Sequence, residues 1–338
     1  MANTRLLKSR TPKADGFFLP GEWHPHEYTI MQFVTRQNWA GYGLSDARRD
    51  WATVANTISE FEPVLMVADP SDRQIVRKLL NSAIELVEFP LNDGWSRDSA
   101  PMFLIDGKGN RLAGFKFNGW GDKFQPYSDD ARLRNRLCQY LNIPYYEAGI
   151  VCEGGAVTLD GEGTLITTEE CLLDPNRNPN FSKSEIEVIL QDYFNVSQVI
   201  WLKKGITPDL ITDGHVDGIC VYVAPGVVML HTTGDRSDSN YQICQDAKQI
   251  LQAAVDAKGR KLEIIQLPLA WDVSHINFYL ANNSVIVPIA NNPQDDAPMA
   301  VIKNTFPHRQ VVKISGEILA KGGGGVHCIT QQVPSISK

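Results

Sequence analysis

The chain repeats itself. Ahead of the turn Asp106-Gly107-Lys108-Gly109 a polar stretch from Trp95 leads into the apolar run Ala100-Pro101-Met102-Phe103-Leu104-Ile105, and a return strand follows. The same order recurs where Glu153-Gly154-Gly155 precedes 156–159, where His215-Val216-Asp217 precedes 218–223, and where Ser274-His275-Ile276-Asn277 precedes 278–280. These hairpins start about sixty residues apart, and the Gly-rich segment 321–332 takes the next place in the series. Between them apolar residues at helical spacing predict helices over 45–60, 71–80, 182–194 and 241–258, with short apolar strands over 64–67, 199–202 and 262–265. A unit of this size cannot bury its own faces, so the units must stack or close into a ring. Closure would turn every hairpin entrance toward one axis.

Composition excludes several classes. The 338 residues, 43% hydrophobic and 21% charged, suffice for a sizeable core. The chain is read as a single domain over 1–338 with an N-terminal extension over 1–19. Its net charge of -7 is scattered, which argues against nucleic acid as a partner. The longest apolar stretch, 219–230, is short and is broken by Pro225 and Gly226, so no membrane span is expected. Arg5, Lys8, Arg10 and Lys13 are followed by no apolar h-region, so the expected compartment is cytoplasmic. The six cysteines show no C-x-x-C spacing, which leaves five as packing residues and one, Cys328, as special.

Cys328 follows four consecutive glycines, residues that lose the most backbone freedom on ordering and so mark a place where the backbone passes close to something. At the other entrances stand Asp98, Glu153, His215 with Asp217, and His275. One acidic residue before a strand is ordinarily a cap. A thiol, an imidazole and several carboxylates at equivalent places in a repeat instead suit a nucleophile, a proton carrier and a cation site, with no metal or cofactor required. His327, if it lies on an extended strand, points away from Cys328, which favours His215 as the base. His24, His26, His231 and His308 have no carboxylate in local sequence and are read as surface or core residues.

Trp95-Ser96-Arg97-Asp98, Phe117-Asn118-Gly119-Trp120-Gly121, the stretch Glu153 to Pro179, Gly214-His215-Val216-Asp217 and the terminal Gly-Gly-Gly-Gly-Val-His-Cys-Ile-Thr-Gln-Gln together resemble agmatine deiminase and the bacterial peptidylarginine-deiminase-like family. The resemblance runs from about Pro20 to the C-terminus, and five motifs in order make it specific to the guanidino-group-modifying superfamily. It implies an α/β fold, a five-bladed propeller with pseudo-fivefold symmetry. It also implies Cys328 as nucleophile, His215 as acid and base, and Asp98 and Asp217 as guanidinium partners. Trp95 and Trp120 become aromatic walls, with core packing as their alternative, and Glu153 a supporting neighbour of His215. Ile211 stands where the agmatine enzymes carry an acidic residue for the distal amine; Asp209 or Asp213 are then the substitutes to consider.

The expected partner is a small guanidino substrate, and a homo-oligomer is left open. The leading reaction is agmatine to N-carbamoylputrescine, a step of putrescine biosynthesis. Alternatives are deimination of arginine, a guanidino acid or peptidyl arginine, an amidinotransferase, or a non-catalytic propeller that binds guanidino ligands.

Overall fold

Aspartates fix where the strands reverse. Asp106 accepts backbone N–H bonds from Lys108 and Gly109, both at 2.8 Å, and Asp160 accepts from Glu162 and Thr164, both at 2.8 Å. Gly107 and Gly161 supply the left-handed backbone these turns need, with φ of 81° and 68°. A computed structural model describes residues 6–7, 10–35 and 42–336.

The strands form five sheets. β1 (His26–Gln32), β2 (Val64–Ala68) and β3 (Glu85–Glu88) run parallel to their neighbours in the first. In the second, β4 (Met102–Ile105) pairs antiparallel with β5 (Asn110–Lys116), which pairs parallel with β6 (Tyr145–Val151). The third repeats this with β7 (Val157–Leu159), β8 (Thr164–Thr168) and β9 (Gln198–Leu202). β10 (Cys220–Ala224), β11 (Val227–Thr232) and β12 (Glu263–Pro268) form the fourth, and β13 (Tyr279–Ala281), β14 (Ser284–Ile289) and β15 (Gln310–Ser315) the fifth. β16 (Gln331–Pro334) returns to the first sheet, antiparallel to β1. The two ends of the chain are thus joined in one sheet by backbone hydrogen bonds.

Parallel neighbours need a crossover, and helices of seven residues or more fill these places: Leu44–Ile58 and Arg73–Leu79 in the first sheet, then Leu133–Tyr140, Lys183–Phe194, Tyr241–Ala253 and Asp296–Thr305 in the other four. Lys183–Phe194 shows why the sequence is helical there. Ser182 and Glu185 close a capping box, Asn195 ends the helix in the left-handed region at φ 56°, and Ile186, Leu190 and Phe194 share the buried face. Each of those side chains contributes about 1.5–3 kcal/mol by leaving water. Tyr241–Ala253 stops short of the predicted 258 because Asp256 takes over the backbone, accepting from the Lys258 and Arg260 N–H groups at 2.9 and 2.8 Å.

The hairpin entrances are single helical turns instead of extended chain: Ser96–Ser99, Gly154–Ala156, Val216–Gly218 and His327–Ile329, with a hydrogen-bonded turn from Ser274 to Asn277. The expectation of opposite-facing side chains at 327 and 328 fails for this reason. Val326 and Ile329 are fully buried in the core that holds Met31, Trp51 and Met66, so the C-terminal segment is anchored on both sides of Cys328.

Of the expected extension 1–19, residues 1–5 and 8–9, with Arg5 and Lys8, lie outside the described residues. Phe18 exchanges two 3.0 Å backbone bonds with Ile105, and Phe17 and Leu19 enter the core with Met102 and Leu104. Residues 17–19 therefore lengthen the edge of the second sheet. Among the described residues five cysteines are buried, Cys328 is half-buried, and all six are free thiols. No described helix is long and apolar enough to cross a membrane.

Candidate active site

Gly155 marks the centre of the site. A Cβ placed there would lie 2.6 Å from His215 Nδ1, 2.9 Å from Asp217 Oδ2 and 3.1 Å from Asp98 Oδ1. Side chains from two other entrances converge on a position that only a hydrogen can occupy. The Gly155 N–H donates to Asp98 Oδ1 at 3.1 Å, and Trp120 Nε1 donates to Asp98 Oδ2 at 2.9 Å. Trp120 holds this bond from a left-handed backbone, φ 56° and ψ 52°, which costs an L-residue roughly 1–2 kcal/mol. Burial, reinforced by Asp217 and Glu153, raises the Asp98 pKa against the pull of His215 and Trp120.

His215 is buried between carboxylates, its Nδ1 3.9 Å from Asp98 Oδ1 and its Nε2 3.9 Å from Glu153 Oε2. Neither His215 Nε2 nor Glu153 Oε2 has a hydrogen-bond partner. The other Glu153 oxygen accepts from Arg177 Nε at 2.9 Å, and Arg177 continues to Asp213 and to the Thr212 carbonyl. Arg177 lies within the stretch that carried the resemblance, but no local spacing linked it to Glu153.

Cys328 Sγ lies 3.2 Å from Asn277 Oδ1 and 3.9 Å from Asp217 Oδ2. Asn277 also accepts from the Cys328 N–H at 3.3 Å and donates to Asp217 Oδ2 at 3.3 Å, so it ties the thiol to the carboxylate. The glycine run makes this approach possible: a Cβ on Gly324 would meet Trp95 at 2.5 Å and the Cys328 side chain at 3.0 Å, and one on Gly325 would meet Asn277 Oδ1 at 2.5 Å. Burial, then the charges of Asp217 and Asp98, push the thiol well above its ordinary pKa, with Asn277 and the Gly325 N–H opposing.

The fourth entrance contributes Asn277 and not His275, whose Nε2 pairs with Asp295 Oδ1 at 2.7 Å. His327, set aside on sequence grounds, bonds Asp217 Oδ2 through Nδ1 at 2.9 Å. His26 also has a carboxylate partner, Glu62, at 3.1 Å.

Cys328, His215, Asp217 and Asn277 open into a cavity of about 410 Å³ whose lining includes Asp209, Ile211, Trp271 and Asp272. Ile211 leans over Gly323, where a Cβ would be 2.0 Å from its Cδ1. Neither substitute acid near Ile211 is available. Asp209 accepts from the N–H groups of Ile211, Thr212 and Gly214 and from the Thr212 hydroxyl, and Asp213 is paired with Lys123 and Arg177. Asp272, solvent-exposed, accepts from Asn292 Nδ2 through Oδ2 at 2.8 Å. Among the described residues, three aspartates and no lysine or arginine line this cavity. Trp95 and Trp120 are buried in the core beside it, Trp95 edge-on to Trp51 at 5.4 Å.

Among the described residues, Glu153, Cys171 and His215 bring three ligand-type atoms within 4.8 Å of one another. The Arg177 guanidinium on Glu153 sets positive charge against any cation there.

The sequence pattern of the Porphyromonas-type peptidyl-arginine deiminases matches residues 18–334. The chain belongs to that family. It is 39% identical to the agmatine deiminase of Pseudomonas aeruginosa (strain LESB58), covering 97% of this chain and 98% of the relative. It is 37% identical to that of Ectopseudomonas mendocina (strain ymp), covering 96% and 97%. Its fold superposes on the agmatine deiminase of Enterococcus faecalis with a TM-score of 0.94 at 34% identity, over 98% of this chain and 100% of that one. The α/β architecture and the family expected from the motifs are therefore those of this chain, a hydrolase acting on guanidino C–N bonds.

Proposed function

We propose that this protein hydrolyses agmatine to N-carbamoylputrescine and ammonia through a covalent intermediate on Cys328. The observation that carries this reading is a half-buried thiol beside Asp217, with Asp98 and His215 paired nearby, in a cavity lined, among the described residues, by three aspartates and by no basic side chain other than His215. The names of the relatives support the same substrate.

The chemistry follows from the charges. Without substrate, burial and then the charges of Asp217 and Asp98 favour Cys328 as a thiol. A guanidinium that enters between them offsets both carboxylates, so the Cys328 proton passes to His215 and the thiolate forms only when substrate is present. The thiolate adds to the guanidine carbon, forming a C–S bond, and the C–N bond to a terminal nitrogen breaks. His215 delivers the proton that makes this nitrogen leave as ammonia. Water then gives a proton to His215 and adds to the alkylthiouronium carbon. The C–S bond breaks, returning the thiolate and leaving a urea; the sum is agmatine plus water to N-carbamoylputrescine plus ammonia. Glu153, 3.9 Å from Nε2, balances the imidazolium whenever His215 carries the proton. Trp120 and the Gly155 N–H orient Asp98.

The five sheets of one pattern, joined end to end by β1 and β16, support a five-bladed ring with pseudo-fivefold symmetry. One domain over residues 1–338 accords with that closure, with 17–19 stitched to the second sheet.

The distal ammonium needs a partner, and Ile211 cannot serve. Asp272, at the cavity wall beside the half-exposed Trp271, is the lining carboxylate left with an oxygen to offer. Asp272→Asn should lower the ratio of agmatine to n-butylguanidine kcat/KM by about tenfold, the worth of a charge-assisted hydrogen bond. An unchanged ratio would remove Asp272 from tail recognition. Ile211→Glu should crowd the existing fit and lower agmatine kcat/KM; a rise would point to a native substrate with a neutral or acidic tail. Ammonia release across agmatine, arginine, 4-guanidinobutanoate and n-butylguanidine tests the substrate itself, and agmatine should be used best.

A further inference from the structure

His327 lies next to the nucleophile in sequence yet takes no part in the steps above, and its surroundings are unusual for a histidine. Nδ1 is 2.9 Å from Asp217 Oδ2, and Nε2 is 2.9 and 3.1 Å from the two oxygens of Glu22. An ionised carboxylate can only accept, so an imidazole bonded to carboxylates at both nitrogens must donate from both. Neither acid is placed to be the donor. Glu22 also accepts from Arg97 Nη1 at 3.3 Å, and Asp217 Oδ2 also accepts from Asn277 Nδ2 at 3.3 Å. Two anions and two cations, Glu22, Asp217, Arg97 and His327, then form a neutral group, buried except at the partly exposed Glu22. A neutral His327 would leave that group with one uncompensated negative charge, 3.9 Å from Cys328 Sγ.

We propose that Glu22 is a positioning residue: with Asp217 it holds His327 as an imidazolium, and this cation fixes Asp217 for the guanidinium and offsets its repulsion of the Cys328 thiolate. The assignment to turnover rests on the reaction proposed above; the charge state of the ring does not. Both hydrogen bonds to Asp217 fall on Oδ2, which leaves Oδ1 to a ligand in the cavity. Arg97 locks the arrangement from a third side, its Nε donating to the His327 carbonyl at 3.3 Å and its Nη1 to Gln332 at 2.8 Å.

The charges set the direction of the pH dependence. Burial and Arg97 oppose the imidazolium, and Glu22 and Asp217 outweigh them, so the His327 pKa is raised. Glu22 itself, despite burial, is brought down to about 2 by His327 and Arg97 and stays a carboxylate across the working range. The protonated form of His327 is therefore retained upward in pH, and removing the Glu22 charge must shorten that range from the alkaline side.

Glu22→Gln keeps the shape and one acceptor while removing the charge. Its kcat/KM for agmatine should fall about tenfold or more at pH 8, with the alkaline limb of the profile moved to lower pH, and Glu22→Asp should restore the limb. Ring ¹⁵N shifts of histidine-labelled protein, assigned with His327→Gln, should show both nitrogens protonated at pH 8 in the native protein and one in Glu22→Gln. A native ring that is neutral at pH 8, or an alkaline limb that Glu22→Gln leaves in place, overturns the proposal. Absence of ammonia release by native protein from any guanidine overturns the reaction, and with it the role in turnover, while the ¹⁵N shifts still decide the charge state.

Discussion

Cys328→Ser is expected to abolish turnover while leaving the fold and agmatine binding in place. A serine hydroxyl is a far weaker nucleophile than a thiol at neutral pH, and here even the thiol depends on the arriving guanidinium to ionise. The two carboxylates that flank it disfavour an alkoxide still more. The side chain is half-buried and one atom changes, so thermal unfolding should move little. Steady-state ammonia release should drop below about one hundredth of the native rate, with agmatine binding by calorimetry retained. A variant that keeps more activity than this removes Cys328 from the nucleophile's place.

Gly155→Ala should be nearly as damaging, although glycine has no functional group to lose. The added methyl would fall within 3.1 Å of His215, Asp217 and Asp98 together, and no one of them can retreat freely. Asp98 is tied to Trp120 and to Gly155 itself, Asp217 to His327 and Asn277, and His215 is buried. A displacement of about 1 Å among groups that must align on one carbon costs on the order of a hundredfold in kcat/KM. Unfolding measurements beside the kinetics separate misplacement from loss of fold. Native activity in this variant would mean that the three side chains do not act on one substrate.

The repeat was legible because its signals are local. Turn aspartates such as Asp106 and Asp160 act on backbone groups a few residues away, and the capping box at Ser182 spans three. The site was legible only in part. Asp98, Glu153, His215, Asp217 and Cys328 do converge, but in sequence His327 reads as part of an extended strand. A single helical turn is too short to show a period. That reading turns His327 away from the site, and Asn277, two residues after His275, carries no signal of its own. The remaining partners are joined across long stretches of sequence: His327 and Glu22 are separated by 305 positions, Cys328 and Asn277 by 51, Arg177 and Glu153 by 24. No spacing rule reaches so far. Asp209, considered as a substitute for Ile211, instead staples its own loop through local bonds to the Ile211, Thr212 and Gly214 N–H groups.

Product analysis tests the central claim most directly. Native protein incubated with agmatine should yield ammonia and N-carbamoylputrescine in equal amounts, and protein quenched during turnover should carry an alkylthiouronium on Cys328. Urea and putrescine in equal amounts, with unmodified Cys328, would show that the other C–N bond is hydrolysed without the thiol and would contradict the account.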